Sequence, residues 1–140
     1  MTKWRHGLPK DVLDWTQALP AYIEPDAPLD ENGKRLWLSH TGYGDFADAG
    51  DWVTALWGRL GIDGPAFADD GKWRCFGHTP VKTPQLTATY GAIDTGAAYS
   101  DRGGGIMTAL LWPTKTLVQQ AFDETPVEQR FKMVDGRITP

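Results

Sequence analysis

A chain of 140 residues with 41% hydrophobic and 23% charged side chains has the length and composition of one globular domain. Its net charge of −4 comes without any basic run, which removes the electrostatic footprint of a dedicated nucleic-acid binder, and its single cysteine excludes an internal disulfide. No stretch approaches the ~20 apolar residues of a membrane span and the N-terminus lacks an apolar signal core, so a cytoplasmic protein without nucleic-acid or membrane partners is expected.

The opening segment predicts a short helix. Pro9 suits its first turn, Asp11 favours the positive end of the dipole, and Val12, Trp15 and Leu19 fall on one face before Pro20 stops it. A polar turn over 24–34 leads into a strand, "RLWLS", and His40 follows at once in the loop "HTGYGD". A second helix is predicted over "DWVTALWGR", with Asp51 near its cap, and "GIDGPAFADDGK" is too rich in Gly, Pro and Asp for regular structure. Four strands are then predicted: "KWRCF", "LTATYGAI", "GIMTALLW" and "KTLVQQAF". The third is apolar on both alternating sets (Ile106 and Leu110; Met107, Ala109 and Leu111), which reads as a strand covered on two faces. "DRGGG" reads as a glycine-rich hairpin loop, because the Lys-Ser or Lys-Thr pair of a phosphate loop does not follow it. "WPTK" supplies the turn before the fourth strand, and from about residue 123 an irregular surface tail is expected. The order of elements fits a single α/β or α+β layered domain over 1–140.

His40 and His78 stand alike, each after a strand and before a Gly- or Pro-containing turn. Two imidazoles raised on strand ends can converge on one metal ion, or each can serve as an ordinary hydrogen-bonding loop residue. His6 lacks that context and reads as a surface residue. Cys75 and His78 form half of a zinc spacing, but with no other cysteine Cys75 reads as a small buried hydrophobe. Arg59 ends the second helix, where it can face the helix C-terminus or present its planar fork to a phosphate. Asp45, Asp48 and Asp51 recur every three residues, a pattern that capping and solubility explain and that leaves a metal role open.

Taken together, "WTQALPAYIE", "LWLSHTGYGD", "ALWGR", "FGHTPV", "AIDTGAAY" and "MTALLW" give the chain a recognisable order. It resembles the C-terminal half of the phosphoprotein phosphatases of the calcineurin-like metallophosphoesterase superfamily, of the bacterial and phage serine/threonine type. The resemblance spans roughly residues 8 to 120. It implies half of a two-sheet β-sandwich flanked by helices. It also implies that His40 and His78 are two histidine ligands of a metal and that Arg59 grips the substrate phosphate. The complete enzymes of this family hold a divalent metal pair (manganese, possibly iron or zinc) and hydrolyse phosphate monoesters such as phosphoserine and phosphothreonine. Relatives carry His-Ala-Gly where this chain has His40-Thr41-Gly42. The family motifs Gly-Asp-x-His-Gly, Gly-Asp-x-x-Asp-Arg-Gly and Gly-Asn-His-Glu, which hold the other metal ligands and the general acid, are not found in these residues. The resemblance therefore assigns no catalytic residue to this chain and at most one weakly bound metal. It implies a split or truncated phosphoesterase, active when a separate N-terminal half or other protein covers the exposed sheet. A non-catalytic binding or structural protein built on the half-fold is the alternative.

Overall fold

The computed structural model describes residues 9–42, 52–59, 67–102 and 105–121, together with the strand segments 127–129, 132–134 and 137–139. His6, Asp45, Asp48 and Asp51 lie outside the described residues.

The chain is a mixed α/β domain built on a five-stranded mixed sheet with few helices. Its centre is three parallel strands, β2 (Arg35–Ser39), β3 (Lys72–Phe76) and β5 (Tyr90–Ala92). Two short strands run antiparallel at the edges, β1 (Tyr22–Ile23) beside β2 and β4 (Gln85–Leu86) beside β5. An antiparallel sheet of β6 (Ile106–Leu111), β7 (Thr116–Ala121) and β8 (Val127–Gln129) follows, and β9 (Lys132–Val134) pairs with β10 (Arg137–Thr139). The helices are α1 (Lys10–Gln17) and α2 (Trp52–Trp57). No helix among the described residues is long and apolar enough to cross a membrane.

β2, β3, α2 and the turn at 112–115 fall where the sequence places them. The run "LTATYGAI" does not form one strand. The hydroxyl of Thr87 accepts from the Thr89 and Tyr90 amides, and the Thr87 amide donates to the Tyr90 carbonyl at 2.7 Å, so the chain folds back between β4 and β5. A 3₁₀ segment over Ala97–Arg102 follows β5, and β5 and β6 lie in different sheets, so the expected hairpin does not pair them; residues 103 and 104 lie outside the described residues. Beyond residue 123, where an irregular tail is expected, the described residues form three short strands.

Register puts Leu36 opposite Trp73 and Leu38 opposite Cys75, so one face of the large sheet is apolar. That face packs against the second sheet. Leu36, Trp73, Cys75, Leu86 and Leu117 form the core, with Leu38, Ile93, Leu110 and Trp112 at its margin. Burial of this kind contributes about 1.5–3 kcal/mol per large side chain. Gly91 is required here, since a Cβ would lie 2.4 Å from the Trp73 ring. On the other face Phe76 stacks on Tyr90, with Phe67 edge-on to both. The Arg74 guanidinium lies 4.7 Å from the centre of the Phe67 ring and is held by both oxygens of Asp70, at 3.0 and 2.6 Å.

The expectation that β6 is covered on two faces is corrected. Ile106, Thr108 and Leu110 turn inward, whereas Met107, Ala109 and Leu111 are exposed, Met107 by 57%. An apolar composition on both sets records what the strand could bury, and here only one set has a facing layer. Likewise α1 buries none of its residues. Trp15 is 63% exposed and Leu19, past the helix end, 43%.

A polar clamp joins the 24–34 loop to the β6–β7 turn. The Asp30 carboxylate accepts from the Asn32 and Lys34 amides, and its second oxygen meets the Lys115 ammonium at 2.5 Å. Lys115 also lies 5.1 Å from the Trp73 ring centre, and Trp112 donates its indole N–H to the Pro28 carbonyl at 2.6 Å.

Candidate metal-ligand pair

Parallel strands end at the same edge of a sheet, and open α/β sheets bind their ligands at the carboxyl ends of their strands. β2 and β3 end together at one such edge. The Gly77 amide donates to the His40 carbonyl at 3.1 Å and carries the ladder one step past both strands. His40 therefore follows β2 directly, and His78 follows β3 by two residues. Their rings meet edge-on with centroids 4.6 Å apart. The two residues that the sequence singled out, 38 positions apart, share one spot.

Local backbone holds the pair in place. His78 takes φ of 67°, a left-handed conformation uncommon for a non-glycine residue, and the Thr79 amide closes a three-residue turn onto the Gly77 carbonyl at 2.8 Å. Such a residue costs on the order of 1–3 kcal/mol, and its surroundings must hold it there. Around His40, the Ser39 hydroxyl donates to the Thr41 carbonyl at 2.7 Å. The Thr41 hydroxyl, fully buried, donates to the Ala55 carbonyl of α2 at 3.0 Å. At Gly42 a Cβ would collide with the Phe76 ring, so the loop lies against the core. Trp57, from the last turn of α2, stands edge-on to His78 at 6.0 Å.

Arg59 follows α2 two residues later, exposed, and near enough for its charge to act on His78. Burial lowers the His78 pKa, the charges of His40 and Arg59 lower it further, and Asp94 opposes them. A lowered pKa favours the neutral imidazole, the form that ligates metals. His78 Nε2 is buried and has no hydrogen-bond partner among the described residues. An orphaned ring nitrogen of this kind suits a ligand that has not been supplied by the protein. His40 is exposed beside it.

Asp94 is the residue that sequence reasoning missed. It leaves β5 as His78 leaves β3, its carboxylate accepts from the Gly96 amide at 2.9 Å, and its Cβ lies 3.4 Å from where a Gly77 Cβ would be. The signal was available: "AIDTG" ends the third parallel strand as "LSHTG" and "FGHTP" end the other two. Among the described residues, no group of three His, Cys, Asp or Glu side chains lies close enough to hold a metal ion. The two imidazole rings lie together there, with no third such group beside them among the described residues. Cys75 is not a third: it is buried in the core and its thiol is pushed up to about 12 by burial.

Comparison with known proteins returns no match: no family model fits the sequence, and no curated protein or solved structure is similar to it.

Proposed function

We propose that this chain is the C-terminal part of a metal-dependent phosphoesterase acting on phosphate monoesters of the phosphoserine and phosphothreonine type, and that it works only with a complementing N-terminal half. The observation that carries the reading is the His40–His78 pair at the ends of two parallel strands, with the Arg59 charge beside it. His40 and His78 would hold a divalent ion of the manganese, iron or zinc kind, for which neutral imidazole is a suitable ligand. When bound, such an ion supplies positive charge to the phosphate oxygens. Arg59 offers a planar fork that matches two of those oxygens, which orients the ester. The lowered pKa of His78 favours the neutral form, which has no proton to lose before ligation.

Carboxylates that would complete a two-metal site are not gathered by the described residues. In this reading the complementing half brings them and covers apolar surface that the chain leaves open. The same shortage favours a second reading, a non-catalytic binding protein on the half-fold.

One experiment separates the two. The full chain is mixed with a polypeptide bearing the Gly-Asp-x-His-Gly, Gly-Asp-x-x-Asp-Arg-Gly and Gly-Asn-His-Glu motifs, manganese is added, and hydrolysis of p-nitrophenyl phosphate is followed. Turnover that is lost in His40→Ala, His78→Ala and Arg59→Ala supports the phosphoesterase. Turnover indifferent to all three, or none with any such polypeptide, leaves the binding protein.

A further inference from the structure

The loop that carries His78 is strapped at both ends to the segment that leaves β5. The Ile93 amide donates to the Phe76 carbonyl at 3.0 Å before the loop, and the Val81 amide donates to the Asp94 carbonyl at 2.9 Å after it. Between these two bonds the Asp94 side chain closes over Gly77, with its Cβ and Oδ2 at 3.4 and 3.8 Å from where a Gly77 Cβ would be. The carboxylate is itself anchored. Its Oδ1 accepts from the Gly96 amide at 2.9 Å, and Gly96 takes φ of 74°, the left-handed region that favours glycine. A Gly96 Cβ would stand 3.7 Å from Pro80, so the turn after Asp94 also lies against the far end of the His78 loop. His78 takes its φ of 67° inside this frame, and a turn of that kind persists only where its surroundings hold it. Here residues 93–96 supply those contacts. The negative charge of Asp94 also acts on the His78 ring, in the sense that favours positive charge there.

We propose that Asp94 is the positioning residue of the imidazole pair: it holds the His78 ring against His40, and its negative charge stabilises a divalent ion bound there. The inference rests on the metal-ligand part of the phosphoesterase reading and adds to it a residue that acts through His78. Asp94 is not a third ligand, because no group of three His, Cys, Asp or Glu side chains among the described residues lies close enough to hold an ion. Carboxylates behind a metal-bound imidazole fix the ring and strengthen its hold on the ion, and their removal typically weakens binding about tenfold or more.

The test is manganese titration of the full chain, with unbound manganese read by electron paramagnetic resonance. In the metal-free chain, a nuclear Overhauser effect between the two imidazole rings reports their contact. Asp94→Asn keeps an oxygen for the Gly96 amide and loses only the charge. It is expected to retain the ring contact and the urea midpoint while binding manganese about tenfold more weakly. Asp94→Ala loses the anchor as well, so the ring contact is expected to fade and binding to weaken further. Wild-type affinity in Asp94→Asn, or an intact ring contact and affinity in Asp94→Ala, overturns the role of Asp94 and leaves the imidazole pair and the phosphoesterase reading standing. Manganese affinity that His78→Ala leaves unchanged overturns the pair, and the role of Asp94 with it.

Discussion

His78 is held in a conformation its side chain disfavours, with φ of 67° and a ring nitrogen unpartnered among the described residues. Glycine takes that φ without penalty, so His78→Gly is expected to be more stable than His78→Ala by about 1 kcal/mol in urea denaturation. The reverse order would mean that the turn is not under strain. The same residue sets a pH dependence. Its folded pKa lies below the ordinary imidazole value of about 6.5, so the unfolded chain binds the proton more readily. Stability attributable to His78 is present above that value and falls as the pH drops through it. NMR titration should place the His78 midpoint below that of an unfolded peptide, and a midpoint at or above it would contradict the arrangement. His40 and His78 were visible in the sequence because each follows a strand and precedes a turn. Asp94 obeys the same rule in "AIDTG", but it is legible only once Tyr90–Ala92 is seen to be the third strand of the parallel set.

At the scale of elements, the Asp30–Lys115 clamp fixes the loop before β2 to the β6–β7 turn across 85 residues of chain. Burial pushes the Asp30 carboxyl up, but the Lys115 hydrogen bond, the Lys34 and Asn32 amides and the Lys115 charge together hold it below the ordinary carboxylate range. Its contribution is therefore present above the unfolded value of about 3.9 and is lost as the pH falls through the lower folded value. Lys115→Met leaves the buried Asp30 carboxylate with only its two backbone N–H bonds and is expected to cost about 3 kcal/mol at pH 7, read from the urea midpoint. Asp30→Asn should flatten the acid dependence of that midpoint, and an unchanged profile would show that the clamp contributes little. None of this was legible beforehand. Asp30 and Lys115 look like loop residues, and only the sheet packing brings them together. Strand β3 was legible because Trp73 and Cys75 alternate with Lys72 and Arg74. The break between β4 and β5 was not, since the Thr87 side chain overrides a run of strand-forming residues.

For the whole molecule, three parallel strands align the ends that carry His40, His78 and Asp94, while α1, β1, α2 and one face of β6 leave apolar side chains in water. Helix α1, strands β2 and β3, helix α2 and strands β6 and β7 were readable from periodicity, whereas β1, the split of β4 from β5 and the strands beyond residue 123 were not. Which faces stay open was not, because Met107 and Leu111 have the same composition as a covered face. The central claim, that the two imidazoles form one metal-binding pair, is tested most directly by manganese titration of the full chain under NMR. Paramagnetic broadening of the His40 and His78 ring signals should come first and together, and should vanish at His40 in the His78→Ala variant. Broadening that begins elsewhere and leaves both rings sharp would contradict the account.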